Sequence, residues 1–284
     1  MTHILIHSLE HAFYDTLKIL PFLFITYLLM EFLEERSTEK TNLWLKKAGK
    51  GGPFIGAALG VIPQCGMSTV ASNLYVGRII SVGTLIAIYL STSDEMLPIM
   101  ISQSVEGVII GKVLVTKVVI AFFAGFLVDF IWYRLKKEEL QEMKIHDFCE
   151  HEHCGCGEGV FKSAIRHTLQ IFMFVFLITV ILNVGIEIVG EEQLAHFILN
   201  KPVLGPILAG IIGLIPNCAA SVVITQMFLD GLMSFGTMMA GLLVGAGVGI
   251  LVLVRVNEDR KESLIIIGIL YLLGVLSGVI LNFI

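Results

Sequence analysis

Charge is scarce in this sequence. Asp, Glu, Lys and Arg make up only 15% of the 284 residues, while 56% are hydrophobic and the mean hydropathy is +0.86. A water-soluble fold needs more polar surface than this, and the apolar excess lies in long runs, so the sequence is that of an integral membrane protein. The formal net charge of −5, with no basic face and no aromatic-basic interleaving, argues against nucleic acid as a partner. Of the five Cys, two lie inside apolar runs and three in one polar loop, which argues against an extracellular disulfide framework. Met1 to His11 lack a basic n-region and no small-residue cleavage site follows the first apolar run, so that run reads as a retained span. Enzyme signatures are also missing: there is no His-Glu-x-x-His or Gly-x-Ser-x-Gly, and Gly107 to Gly111-Lys112 has the wrong spacing for a P-loop. Neither catalysis nor ATP hydrolysis is expected.

Apolar runs cover approximately 12–32, 53–75, 79–103, 108–131, 168–188, 205–228, 232–254 and 264–284. Much of the chain is written twice. Gly52-Pro53, Pro63-Gln64-Cys65 and Ser68 reappear 153 residues later as Gly205-Pro206, Pro216-Asn217-Cys218 and Ser221. The same separation links Ser81-Val82-Gly83-Thr84 to Ser234-Phe235-Gly236-Thr237, and Gly125 and Phe130 to Gly278 and Phe283. A bilayer core of about 30 Å needs about 20 helical residues, which six of the runs supply as single spans. The runs 53–75 and 205–228 are interrupted by proline followed at once by polar residues. Broken backbone survives at membrane depth only where protein buries it or it lines a cavity, so both read as re-entrant hairpins with tips near the midplane.

Loop charge predicts the topology. The 34–52 connection carries Arg36, Lys40, Lys46, Lys47 and Lys50, and the 134–167 connection carries Arg134, Lys136, Lys137, Lys144, Lys162 and Arg166, which places both in the cytoplasm. Three spans and a hairpin per half make an odd number of crossings, so the second half enters inverted and both termini lie outside. Counting each hairpin as a full crossing is the alternative, which puts Arg78 outside; the halves stay inverted. The expected fold is an all-α membrane protein with two inverted-topology repeats, each of three spanning helices plus a re-entrant broken-helix hairpin. Residues 1–133 form the first repeat, 134–163 a cytoplasmic linker and 164–284 the second repeat.

Polar chemistry gathers in the first half. Ser91-Thr92-Ser93-Asp94-Glu95 interrupts an apolar run, where each charge costs about 2.5–3.5 kcal/mol. Helical rise puts Glu95 about 12 Å and Lys117 about 15 Å from the outer ends of their runs. Asp94 or Glu95 with Lys117 is thus the expected ion pair, either binding substrate or holding two helices in register. The corresponding places in the second half hold Gly247, Val248 and Leu270, within the glycine series Gly241, Gly245, Gly247 and Gly249, read as close helix packing or as a flexible joint.

At the hairpin tips Gln64, Cys65, Asn217 and Cys218 offer amides and thiols. They read as transition-metal ligands or, for the cysteines, as small apolar filler. Half-helix N-termini at Ser68 and Ser221 suit an anion instead. In the linker, His146, Cys149, His151, His153, Cys154 and Cys156 alternate with carboxylates; the density fits weak metal capture, though no closed zinc spacing is present. His3, His7 and His11 share one helix face, and chance placement is the better account of them.

The hairpin pattern Gly-Pro-x5-Leu/Ile-Gly-x2-Pro-Gln/Asn-Cys, the segment Ser91-Thr92-Ser93-Asp94-Glu95-Met96-Leu97-Pro98, and the Gly111-Lys112 to Lys117 helix together resemble the ten-transmembrane heavy-metal exporter family. Members of that family are often labelled manganese transporters, and it is related to the organoarsenical permeases. The resemblance implies efflux of a metal or metalloid, with Asp94, Glu95, Lys117, Gln64, Cys65, Asn217 and Cys218 as site residues; Ser68, Ser93 and Ser221 complete the set read from the residues. The reading is an inner-membrane permease exporting a divalent metal, Mn²⁺ first, by alternating access at a midplane site. Its partners are the bilayer and the ion, with no tightly bound cofactor, and a homo-oligomer is compatible with the sequence. Alternatives are a permease for an organic or oxyanionic substrate such as a trivalent organoarsenical, a lipid-phosphate translocase, and a metal sensor or adaptor working through the linker.

Overall fold

In a computed structural model, residues 51–62, 65–93, 95–135, 160–189 and 202–284 are described, with ten scattered positions between Leu9 and Leu28. Among them the only regular elements are helices, with no strands. The helices are α1 (Gly52–Leu59), α2 (Cys65–Val76), α3 (Val82–Ser91), α4 (Met96–Ser102), α5 (Gly107–Leu135) and α6 (Val160–Val189). They continue with α7 (Leu204–Gly213), α8 (Cys218–Leu229), α9 (Phe235–Val244), α10 (Val248–Val256) and α11 (Arg260–Phe283).

The written repeat is also a repeat of helix boundaries. α2, α3 and α5 begin at Cys65, Val82 and Gly107, and 153 residues on α8, α9 and α11 begin at Cys218, Phe235 and Arg260. The contacts repeat with them. Ser81 caps α3 by accepting from Thr84 N at 3.1 Å and donates to Asp129 Oδ2 at 2.7 Å. Ser234 caps α9 by accepting from Thr237 N at 3.3 Å and donates to Asn282 Oδ1 at 2.7 Å. An N-cap hydroxyl satisfies one of the orphan amides of a helix start, and here a neighbouring helix holds the cap in turn. Below these caps α3 meets α5, and α9 meets α11, backbone to backbone. A Cβ at Gly83 would fall on the Gly125 carbonyl oxygen, and one at Gly236 on the Gly278 carbonyl oxygen. Glycine is required by that spacing.

Among the described residues, five helical stretches are long and apolar enough to cross a membrane: Val82–Ser102, Gly107–Arg134, Ala164–Ile181, Phe235–Val256 and Arg260–Phe283. Burial sorts them. The first and fourth are 71% and 83% buried, whereas the other three are 28–29% buried, so two inner spans are enclosed by outer ones that present apolar side chains to lipid. On α6 the exposed face is Phe161, Ile165, Leu169, Met173, Leu177 and Ile181. Its opposite face, Ala164, Ile171 and Val175, packs on Val248, Val252 and Val256 of α10.

Both inner spans are broken, which corrects the expectation of single uninterrupted spans over 79–103 and 232–254. α3 stops at Ser91 and α4 resumes at Met96; α9 stops at Val244 and α10 resumes at Val248. The first interruption is the hydroxyl and carboxylate segment. The second is glycine: Gly247 has φ +54° and ψ −139°, a backbone that other residues rarely adopt. The glycine series therefore does two jobs. Gly245 and Gly247 make the break, whereas at Gly249 a Cβ would lie 2.6 Å from Ser68 Cβ, so its missing side chain lets α2 lie against α10. The runs 53–75 and 205–228 are likewise each two helices, separated after Leu59 and after Gly213.

Candidate functional site at the broken spans

The interruptions converge on one side chain. Lys117, on α5 and only 1% exposed, donates from Nζ to Thr92 O, and to Leu242 O at 2.9 Å. Thr92 ends α3, and Leu242 lies in the last turn of α9. The last carbonyls of a helix lack intrahelical donors and carry its negative pole. At the second break Ala246 N turns to Val244 O at 2.8 Å instead of continuing the ladder to Leu242 O. An ammonium placed at two such ends satisfies the freed carbonyls and is itself stabilised by both poles. The corresponding residue in the second half is the buried Leu270, so one cation bridges both halves.

Around it, the hydroxyl run is tied to its own helix end. Ser91 Oγ donates to Ala87 O at 2.8 Å, Thr92 Oγ1 to Ile88 O at 2.7 Å, and Ser93 Oγ to Ser91 O at 3.2 Å. All three residues are buried, and their oxygens keep lone pairs for a ligand. Glu95 is half-buried at the start of α4, where its side chain makes no capping bond, and among the described residues it forms no ion pair with Lys117. Asp94 lies outside the described residues, as do Gln64, the linker set His146, Cys149, His151, His153, Cys154 and Cys156, and His3, His7 and His11.

Cys65 and Cys218 are the first residues of α2 and α8. Asn217 is buried and caps α8, its Oδ1 accepting from Ala219 N at 3.2 Å. Ser68 is buried in the α2–α10 contact, and its carbonyl accepts from Ser72 Oγ at 2.7 Å. Ser221 is half-buried on α8, and its carbonyl accepts from Thr225 Oγ1 at 2.7 Å. Among the described residues no three His, Cys, Asp or Glu side chains are gathered as a metal site.

Three networks that join the halves were not anticipated from the sequence. Ser72 Oγ, Tyr89 OH and Gly249 O meet beside the centre, with Ser72 to Gly249 O at 2.7 Å, Ser72 to Tyr89 at 2.6 Å and Tyr89 to Gly249 O at 3.2 Å. Farther out, Arg78 Nη2 and Glu262 Oε2 form an ion pair at 3.2 Å, and Tyr75 OH donates to Glu262 Oε1 at 2.7 Å. Burial works against the Arg78 charge, but bonds to Glu262 and Coulomb attraction outweigh it and hold the guanidinium above its ordinary pKa. Arg78 sits at φ +59°, and the corresponding residue of the second half is Gly231 at φ +73°. One readable signal was Arg78 standing where the repeat has glycine. At the opposite end of the inner spans Gln103 Nε2 donates to Gln226 Oε1 at 2.5 Å, and Gln226 Nε2 to Asp230 Oδ1 at 2.9 Å, through bonds open to solvent around a half-buried Gln226.

Discontinuous inner spans, lipid-facing outer spans and costly polar groups at the breaks define a membrane transporter. Residues 1–187, and again 157–284, match the family described as "Putative, 10TM heavy-metal exporter", and the chain belongs to it. No curated protein matches the chain, and no solved structure does.

Proposed function

We propose that the chain exports a divalent heavy metal, manganese first, across the inner membrane by alternating access at the level of the two span breaks. The observation that carries this reading is the meeting of both breaks at Lys117, beside a run of buried hydroxyls that leads into Asp94 and Glu95. Carboxylate, hydroxyl and carbonyl oxygens suit a hard divalent ion such as Mn²⁺. Gln64, Cys65, Ser68, Asn217, Cys218 and Ser221 are the further ligand candidates of this reading, and the His/Cys linker gathers the ion before export.

Contact directions support two inverted halves. α2 and α10 lie together, with Ser68 against Gly249 near their starts and Arg78 against Glu262 just beyond their ends. α8 and α4 lie together, with Gln226 against Gln103 at their far ends. Val82–Ser102 therefore runs from the Arg78 end to the Gln103 end, while Phe235–Val256 runs from the Gln226 end to the Glu262 end. Opposed broken spans suit α1–α2 and α7–α8 as re-entrant hairpins entering from opposite faces. The basic 34–52 and 134–167 connections put the Arg78 end in the cytoplasm and both termini outside.

The buried ammonium favours a second reading, in which the cargo is an oxyanionic or organoarsenical species. Purified protein in liposomes, offered Mn²⁺, Zn²⁺, Co²⁺, an organoarsenical and phosphate in turn, separates the two. The expected result is Mn²⁺ flux that Asp94→Asn and Glu95→Gln abolish, with higher cellular manganese in cells carrying those variants. Arsenical or phosphate flux without Mn²⁺ flux moves the assignment to the second reading.

A further inference from the structure

We infer that the carbonyls ending α3 and α9 form a cation site of their own, that the Lys117 ammonium is its tethered occupant, and that the carrier consequently works without a free alkali-metal coupling ion. In carriers built from discontinuous helices, half-helix C-termini and unwound carbonyls are where the coupling cation is held. Here Thr92 O and Leu242 O, from opposite halves, are drawn onto one Nζ. Both belong to the last turn or cap of a helix, and the turn of Ala246 N to Val244 O releases Leu242 O from the α9 ladder. The hydroxyl oxygens of Ser91, Thr92 and Ser93 are buried at the same helix end and can complete the coordination of a small cation. Lysine rather than a hydrophobe at this depth is costly, and a neutral cap would satisfy two carbonyls at lower cost. Two converging negative poles stabilise a charge at this place.

The site stands whatever the cargo is, although the coupling consequence rests on the transporter reading. The test therefore uses no cargo. Thermal unfolding midpoints of purified wild type and Lys117→Gly are compared in choline, sodium and n-propylammonium chloride at equal ionic strength. Wild type should unfold at one midpoint in all three salts. Lys117→Gly should fall by several degrees in choline and recover saturably with propylammonium or sodium, because a ligand that binds only the folded state raises the midpoint. A glycine variant indifferent to the three salts overturns the inference, as does a wild-type midpoint that rises saturably with sodium. Should Lys117→Gly fail to fold, Lys117→Arg and Lys117→Gln decide: the arginine variant, which keeps a cation, should stay near wild type, and the neutral amide should lose several degrees. Equal midpoints for those two overturn the site. Absent Mn²⁺ flux with the salt pattern intact would sink the metal reading alone.

Discussion

The turn after α2 offers a sharp quantitative test, because Arg78 is strained and paired at once. Its left-handed backbone costs a non-glycine residue about 1–2 kcal/mol. Against this stands a contact in which Glu262 is 3% exposed and Arg78 15%. Removing one partner of a buried ion pair strands the other, at about 3–5 kcal/mol; the partial exposure of Arg78 argues for about 3. Arg78→Ala keeps the strained backbone and loses the pair, for a net loss of about 3 kcal/mol. Arg78→Gly loses the pair but relieves the backbone, for a net loss of about 2. Glu262→Gln keeps an acceptor for Tyr75 and leaves a guanidinium that can turn toward water, so it should cost less than Arg78→Ala. At roughly 2–4 °C per kcal/mol, the alanine variant should unfold roughly 6–12 °C below wild type. Midpoints in one detergent for Arg78→Ala, Arg78→Gly, Glu262→Gln and the Arg78→Gly/Glu262→Gln double variant complete a cycle whose coupling should be about 2 kcal/mol. The reasoning fails if alanine matches or outlasts glycine at position 78, or if the two losses simply add.

Gly83→Ala and Gly236→Ala should each destabilise by at least about 1–3 kcal/mol, because each new Cβ meets a backbone carbonyl; expression and thermal midpoint would show it. Gly111→Ala and Gly268→Ala, in helices where an added Cβ meets nothing within 4 Å, should instead stabilise by about 0.5–1 kcal/mol each and raise the midpoint. Asp129→Asn should be nearly silent in the same assay, since Asn282 fills that place in the second half, whereas Asp129→Ala should lose about 1–3 kcal/mol by stripping Ser81 and the Gly83 amide, at 2.7 Å each, of their acceptor.

What the sequence disclosed best was the repeat, because close approach and capping demand particular residues at fixed places and a duplicated fold must demand them twice. Gly83 and Gly236, Ser81 and Ser234, and both proline interruptions are of this kind. The break between α3 and α4 was also visible, since hydroxyls and carboxylates in an apolar run require compensation. Its counterpart was not: Gly245 to Gly247 looks like any glycine-rich helix contact until the backbone angles are known. Lys117 was found by depth, yet its acceptors were hidden because a backbone carbonyl leaves no mark in the side-chain alphabet, and Leu242 lies 125 residues away. Arg78 and Glu262, 184 residues apart, were equally beyond spacing rules, which see one helix at a time.

The two rims of the molecule are fastened unequally: a shielded guanidinium–carboxylate pair with a phenol at one, two wet amides and a carboxylate at the other. Amides in water exchange partners at little cost, whereas the charged clasp must be dismantled before its rim can part. Every ~1.4 kcal/mol of that difference multiplies tenfold the share of molecules resting open at the amide rim. In the proposed orientation that rim is extracellular, and the clasp would act as a doorstop. Under the proposed alternating access, an empty carrier would idle facing outward.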